Sequence, residues 1–403
     1  MTKKISIGIT LILIIISIII SSAASLFIVF NTYSNLLVDL PQRADQYLKL
    51  GELDELVRSE YYGSIDSASV DNALASGYIN GLNDNDSYYV TADDIDSFNN
   101  FINGKSEGIG LNVYYDYSGS FLIVSYVYPD SPAHNADIEA GNVITSVNGK
   151  IITEDNFESL TDILCSSFNQ KIEITVQKSS ESSDGRTVDF TTGYEMTSCS
   201  YSVNDGTGYI RLNAFYESTY SSFREALDYM SSNKISSVIL DLRNASGANY
   251  NEAAKIIDCI VPVGNEGTGA IFTATNFNGD TISKYSSDSV ASNLSFAVLV
   301  NTRTSAAAEL IACDLKDFGK AVLVGEKTAG NGTMQKLFEL NDGGYVFLTV
   351  AEIQPYISDT FNKVGITPDI IIETSESFKN NIGNSDLSED EQYNAALKYL
   401  TGK

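Results

Sequence analysis

The residue types that most often carry out catalysis or bind metals are scarce in this chain of 403 residues. His134, in the turn SPAHNADI, is the only histidine, which argues against a histidine-dependent catalytic triad and a multi-histidine metal site. The cysteines form neither a CxxC pair nor a Cys/His cluster, so no zinc site is predicted; they are Cys165, Cys199, Cys259 and Cys313. We therefore expect no metal and no cofactor.

The charge of the chain excludes one class of partner. Acidic residues number 52 against 25 basic ones, and the net charge is −27. Phosphate binding needs clustered lysine and arginine, so nucleic acid is not an expected partner. The acidic balance indicates a solvated surface.

The N-terminal residues predict a membrane anchor. Lys3 and Lys4 precede an uncharged stretch, Ile5–Phe30, which is long enough to cross a bilayer as a helix. The lysines favour a cytoplasmic N-terminus, so residues 1–4 would be cytoplasmic and everything after the anchor extracytoplasmic, in a single-pass protein of the cell membrane. The small residues of Ser21–Ser25 leave a cleaved signal peptide as the alternative.

Three segments follow the anchor, and together they predict a multi-domain α/β protein. Residues 31–105 have helical spacing of apolar residues, as at Val70, Leu74 and Tyr78. Residues 106–195 consist of short strands separated by glycine and proline turns. Residues 196–403 alternate apolar strands with helices, which favours a largely parallel sheet and ends in a helix.

The second segment carries four short motifs in a fixed order: Gly108–Leu111, Ser131–Ala133, Gly141–Ile144 and Val147–Gly149. This order resembles a PDZ domain, although Asn142 stands where that family usually has aspartate. The resemblance implies that polypeptide ends bind by strand addition. Backbone amides of Gly108, Ile109, Gly110 and Leu111 would then receive the terminal carboxylate, since glycine permits close backbone approach.

The third segment carries further motifs, namely Leu212–Glu217, Asp241–Asn244, Ala307–Glu309, Gly325–Gln335 and Gly365–Asp369. With the preceding segments, they resemble the C-terminal-processing (tail-specific) serine peptidases from about residue 45 to the end. The resemblance implies a ClpP/crotonase-like α/β core and proteolysis by a serine endopeptidase. In that family a serine at a helix start attacks the peptide carbonyl and a neutral lysine accepts its proton.

Both residues of that serine–lysine dyad are replaced in this sequence. Ala306 stands at the nucleophile position, three residues before Glu309, and Asn331 stands at the lysine position. Gln335, which supports the lysine in the family, is retained. The oxyanion-type positions would be Gly247 and Ala307, although only one glycine of the family's pair is kept. These replacements predict a pseudopeptidase that binds polypeptide C-termini or unfolded segments, as an oligomer or in complex with an active relative.

An alternative keeps the chain active as a serine endopeptidase. Ser305 lies one residue before the expected nucleophile, and Lys327 could serve as a non-standard base. One step along a helix turns a side chain by about 100°. A misplacement of about 1 Å can cost on the order of a hundredfold in rate, which disfavours this alternative.

Overall fold

The computed structural model describes residues 16–17, 20–23, 25, 40–128, 131–182, 184–261, 270–287, 292–375, 378–379, 382 and 387–402. Most of the predicted anchor, residues 5–30, lies outside this set. Within the part of the chain that the structure describes, no helix has both the length and the apolar character that crossing a bilayer requires. The chain divides into two compact units, residues 1–74 and 75–403.

Two helices lead from the first unit into the second: α1 (Leu40–Glu60) and α2 (Ser67–Asn80). An exposed ion pair between Arg58 and Asp54, one turn apart, lies on α1. Before α2, the carboxylate of Asp66 accepts from the amide of Ala68 and the hydroxyl of Ser69, which satisfies one of the free amide groups at the helix start.

The segment expected to be helical also contains a strand, β1 (Tyr88–Val90), before α3 (Ile95–Ile102). The strand pairs antiparallel with residues 345–347 of the α/β core. Its aromatic and β-branched residues suit a half-buried pleated surface, which explains why this part is not helical. The prediction of a helical segment therefore omitted a strand that belongs to a sheet of the core.

The PDZ-like segment forms a small antiparallel sheet that packs against one helix. Its elements are β2 (Lys105–Ser106), β3 (Leu111–Asp116), β4 (Phe121–Val127), α4 (Pro132–Asn135), β5 (Val143–Val147), β6 (Lys150–Ile151), α5 (Phe157–Cys165), β7 (Lys171–Gln177), β8 (Arg186–Thr191) and β9 (Tyr194–Glu195). The strand order is β3-β4-β5-β7-β8, with β6 beside β5, and β2 pairs separately with β9. Apolar residues of these strands and of α5 form one buried cluster.

The remainder is built on two sheets. Its elements are β10 (Cys199–Asn204), β11 (Thr207–Leu212), α6 (Thr219–Ser232), β12 (Ser237–Asp241), α7 (Tyr250–Ile260), β13 (Ala270–Thr275), β14 (Thr281–Ser286), β15 (Ser295–Val300), α8 (Ala307–Asp317), β16 (Ala321–Gly325), β17 (Thr333–Glu339), β18 (Tyr345–Pro355), β19 (Ile370–Ile371) and α9 (Glu391–Thr401). One of the two, an antiparallel sheet, has the order β1-β18-β13-β14, with β17 beside β18.

The main sheet has the order β10-β11-β12-β15-β16-β19, and its strands from β11 onward are parallel. Val238 and Leu240 face a buried cluster shared with α6, α7 and α8, whereas Ile239 between them faces a cluster shared with α9. Burial of both faces explains the continuous apolar runs in these strands. The expected α/β class is therefore confirmed for the described residues, with a small antiparallel domain before a core of mixed α/β structure.

Candidate active site

Three loops carry the candidate site residues, and each follows the carboxyl end of a parallel strand. The loop after β12 contains Gly247, the loop after β15 contains Ser305 and Ala306, and the loop after β16 contains Asn331. Because β12, β15 and β16 are neighbours, these loops meet at one edge of the sheet. In open α/β sheets, ligands bind outside this edge.

Ala306 is the residue immediately before α8, and its backbone conformation is unusual, with φ 54° and ψ −118°. A positive φ is uncommon for a residue with a side chain and is found where the surrounding structure enforces it, often at functional sites. The residue is buried, with 5% of its surface exposed. The helix start thus presents a methyl group at the position that the sequence motifs predict for the nucleophile.

The buried carboxylate of Glu309 holds this helix start against the loop after β16. Its Oε2 accepts from the amides of Ala306 at 3.2 Å and Asn331 at 2.8 Å, and its Oε1 accepts from the amide of Gly330 at 2.7 Å. The hydroxyl of Thr328 also donates to Oε1. Burial raises the pKa of Glu309, although these hydrogen bonds partly oppose the rise. Because the amides of Ala306 and Asn331 donate to the same oxygen atom, the structure brings these two positions together.

The side chain of Asn331 is bonded at both ends. Its Nδ2 donates to Oδ2 of Asp86 at 3.0 Å, and its Oδ1 accepts from Oγ1 of Thr333 at 2.9 Å. Gln335 donates through Nε2 to the hydroxyls of Thr333 at 2.9 Å and Thr349 at 3.2 Å. Among the described residues, the side chain of Gln335 is therefore linked to that of Asn331 through Thr333.

Asp86 is a site residue that sequence reasoning missed. It lies in the turn LNDNDSYY, 245 positions before Asn331. Aspartate is common in turns for local reasons, so its residue type carried no signal. The pairing of β1 with β18 brings this turn to the loop after β16.

The two oxyanion-type positions, Gly247 and Ala307, lie in contact. The amide of Ala307 donates to the carbonyl of Gly247 at 3.0 Å, so this N–H is already bonded within the protein. Gly247 has φ 147°, a conformation in which a residue with a side chain would be strained. An added Cβ would also lie 3.2 Å from the amide nitrogen of Phe215. The loop after β12 thus needs glycine here.

The alternative pair, Ser305 and Lys327, is not joined by a hydrogen bond. Oγ of Ser305 donates to Oγ of Ser246 at 2.7 Å, and Lys327 is exposed to solvent. Across the described residues, the side chains of Ser305 and Asn331 form no hydrogen bond with a lysine. Among the described residues, Ser305 therefore has the hydroxyl group of Ser246 as the hydrogen-bond partner of its side chain.

The glycine loop of the PDZ-like segment uses some of its amides internally. The amide of Gly108 donates to the carbonyl of Ser167 at 2.8 Å, and that of Ile109 to the carbonyl of Leu164 at 2.9 Å. Gly110 has φ 79°, and a Cβ there would clash with Ser131. Leu111 then begins β3, which has one sheet neighbour, β4, among the described strands. Peptide binding by residues 108–111 stays a prediction, and Gly108 and Ile109 would need to change partners to receive a carboxylate.

Comparison with known families gives a match for the PDZ-like segment and another for the α/β core. The model of peptidase family S41 matches residues 206–372, and the model of a PDZ domain matches residues 123–178. The chain is a homologue of the C-terminal processing peptidases of family S41. The S41 region contains Gly247, Ala306, Glu309 and Asn331, whereas Asp86 lies outside both matches.

Individual relatives agree with this family. The chain is 27% identical over 328 residues to "Probable CtpA-like serine protease" of Staphylococcus aureus (strain N315), covering 81% of this chain and 64% of that protein. It is 28% identical over 293 residues to "C-terminal processing peptidase, chloroplastic" of Tetradesmus obliquus, covering 67% and 61%. The chain thus spans less than two thirds of the length of these relatives.

Among solved structures, the chain is similar to a photosystem II D1 C-terminal processing protease. The two share 24% sequence identity, with a TM-score of 0.49. The superposition covers 80% of this chain and 86% of that one.

Proposed function

We propose that this S41 homologue is a pseudopeptidase that binds polypeptide C-termini or unfolded segments and does not cleave them. The proposal depends on the side-chain chemistry at Ala306 and Asn331. Ala306 offers a methyl group at the helix start, and Asn331 offers a carboxamide in place of an amine. A methyl group cannot attack a carbonyl carbon, and a carboxamide has no basicity that could accept a proton near neutral pH.

The surroundings of these positions support the same function. Asp86 and Thr333 bond both ends of the Asn331 side chain, so the carboxamide is part of a fixed network. The amide of Ala307 bonds to Gly247 and is not free to stabilise an oxyanion. Hydrolysis at this site would therefore lack nucleophile, base and one oxyanion donor.

The binding part of the proposal depends on the PDZ domain. Strand β3 lies at the edge of its sheet among the described strands, and an edge strand offers unpaired backbone groups to an extended peptide. We further propose that residues 5–30 anchor the chain in the cell membrane with the bulk outside. An oligomer, or a complex with an active relative, would then bring captured chains to a working peptidase.

Purified full-length protein, given an unfolded protein substrate and a fluorophosphonate probe, tests this function. We expect no cleavage and no covalent labelling, together with measurable binding of peptides that carry a free C-terminus. Ser305→Ala is the matched variant and should behave like the wild type. Cleavage or labelling that disappears in Ser305→Ala would overturn the proposal and favour an endopeptidase that uses Ser305 with Lys327 or another base.

A further inference from the structure

The stretch of chain that follows strand β18 bonds to the C-terminal half of helix α8. There the carboxylate of Asp314 accepts from the amide of Tyr356 at 3.1 Å. One turn along the helix, the carboxylate of Asp317 accepts from the amide of Ser358 at 2.8 Å and from its hydroxyl at 2.7 Å. We call residues 356–366 the connecting segment, because its other end bonds to the loop after β16.

The far end of the connecting segment bonds to the backbone on both sides of Asn331. The amide of Lys363 donates to the carbonyl of Gly330 at 2.7 Å, and Oδ1 of Asn362 accepts from the amide of Gly332 at 3.3 Å. The contacts that hold the connecting segment on α8 therefore also help to hold the loop around Asn331.

Asp314 is the member of this arrangement that can gain or lose a proton inside the protein. Its side chain is fully buried, and its Oδ2 has no hydrogen-bond partner among the described residues. Burial, together with the charge of Asp317, raises the pKa of Asp314 well above its ordinary value of 3.8. The adjacent thiol of Cys313 stays neutral, because burial raises its pKa to about 12.

The elements packed against α8 bring no cation to Asp314 within the part of the chain that the structure describes. Lys316 of α8 itself pairs with Asp369 at 2.9 Å, and Lys255 of α7 pairs with Glu252. Strand β16 has no titratable residue, and the remaining titratable residues are Tyr250, Asp258 and Cys259 of α7, Tyr345 and Glu352 of β18, and Tyr356, Asp359 and the exposed Lys363 of the connecting segment. A charge on Asp314 would therefore be both buried and unpaired, which is costly.

We propose that Asp314 is a proton-controlled switch that couples helix α8 to the loop carrying Asn331. When the carboxyl group is protonated, it stays buried and accepts from Tyr356, so the connecting segment is held on α8. When the proton passes to solvent water, the unpaired charge becomes hydrated as the segment separates from the helix. The bonds that Asn362 and Lys363 make beside Asn331 then weaken, so the loop is fixed at low pH and mobile at high pH.

Amide hydrogen exchange of the purified full-length chain tests this switch. Rates are corrected for the intrinsic effect of pH and followed over the range above pH 3.8, the ordinary pKa of aspartate. Protection of the amides of Tyr356 and Ser358 should fall as the pH rises, by up to about tenfold per pH unit, because the opening releases one proton. The amides of Lys363 and Gly332 should lose protection in parallel.

Asp314→Asn keeps the acceptor for Tyr356 but has no proton to lose, so protection of these four amides should not depend on pH. Asp359→Asn, at an exposed position of the connecting segment, is the matched control and should show the dependence of the wild type. Asp317→Asn removes the neighbouring charge and so lowers the pKa of Asp314 in the folded chain. In that variant the loss of protection should be complete at a lower pH.

Three results would overturn the proposal. A pH dependence that survives in Asp314→Asn would assign the titration to another group. Loss of protection at Tyr356 without loss at Gly332 would show that the loop after β16 does not follow the connecting segment. Protection at Ile239, in the buried strand β12, that is as low as at Tyr356 would indicate global unfolding in place of a local opening.

Discussion

At the scale of single residues, Ala306 has a backbone conformation with a positive φ, which an alanine does not favour. A non-glycine residue in a sparsely populated backbone region costs about 1–3 kcal/mol. The carboxylate of Glu309 bonds the amide of Ala306 and those of the neighbouring loop, and so holds this conformation in place. Ala306 therefore has a backbone conformation of the kind often found at functional sites, with a methyl group as its side chain.

Restoring the two side chains alone should not restore hydrolysis. In an Ala306→Ser/Asn331→Lys variant, the new amine would lie beside Asp86, and an adjacent carboxylate favours the protonated lysine, which is not a base. The amide of Ala307 would also remain bonded to Gly247. We expect no labelling by a fluorophosphonate probe.

Adding Asp86→Asn removes the carboxylate beside the new amine, so the amine can lose its proton. We expect weak labelling of the new hydroxyl at position 306 in this triple variant only. Strong labelling of the double variant would contradict this expectation.

A buried carboxyl on α8 should make stability depend on pH. Asp314 is fully buried, its Oδ1 accepts from the amide of Tyr356 at 3.1 Å, and its Oδ2 has no hydrogen-bond partner among the described residues. Burial, together with the charge of Asp317, raises the pKa of Asp314 well above its ordinary value of 3.8. The folded chain thus binds this proton more tightly than the unfolded chain, and the resulting stabilisation is lost as the pH rises.

Asp314→Asn removes this titration with little change of shape. Over the pH range above the ordinary pKa of 3.8, thermal melting should show the variant gaining stability relative to the wild type as the pH rises. Asp359→Asn, at an exposed position, is the control and should follow the wild type at every pH. A difference between Asp314→Asn and the wild type that stays constant across this range would show that Asp314 does not titrate there.

At the scale of elements, the C-terminal helix is held by a buried arginine. Arg243, 1% exposed, donates to both oxygens of Asp241 at the end of β12. It also forms an ion pair of 2.7 Å with Asp390, the residue that caps α9. The same loop continues to Gly247, so α9 helps to fix the position of the candidate site.

Arg243→Ala should destabilise the protein strongly. Removing one member of a buried ion pair leaves its partners uncompensated and costs about 3–5 kcal/mol. Denaturant unfolding of the full-length chain measures this as a lower midpoint. Arg58→Ala, which removes an exposed ion pair on α1, should leave the midpoint unchanged, because solvent screens such a pair. Equal midpoints for the Arg243 variant and the wild type would show that the buried network contributes little.

At the scale of the whole molecule, the acidic bulk of the chain and its apolar N-terminus differ sharply in character. The net charge of −27 keeps the bulk of the chain in water, whereas residues 5–30 carry no charge. In the proposed membrane-anchored arrangement, the PDZ domain would bind polypeptide ends outside the cell membrane. This arrangement depends on whether the apolar stretch is retained.

The full-length chain should stay with the membrane fraction after an alkaline carbonate wash. A stretch of this length and polarity favours stable insertion as a helix. A variant that lacks residues 1–30 should move to the soluble fraction and keep its peptide affinity. A soluble wild-type product that begins near Ser21–Ser25 would instead identify a cleaved signal peptide.

The sequence by itself determined which atoms stand at the two key positions and which class of fold surrounds them. The residue types alone give a methyl group at Ala306 and a carboxamide at Asn331. The apolar runs of the main sheet follow from burial on both of its faces. Short motifs also predicted the PDZ and S41 regions, because glycines and turn residues occupy backbone positions that few other residues tolerate.

Only the tertiary structure decided which groups those atoms meet. Three features all join segments far apart in the chain: the bond from Asn331 to Asp86, the donation from Ala307 to Gly247 and a cavity lined by Ser97, Lys105 and Cys165. Local periodicity reports how one segment folds, and it carries no information about which distant segment lies beside it. Partners of this kind arise when β1 joins β18 and when α3 packs near β3, which depends on the whole path of the backbone.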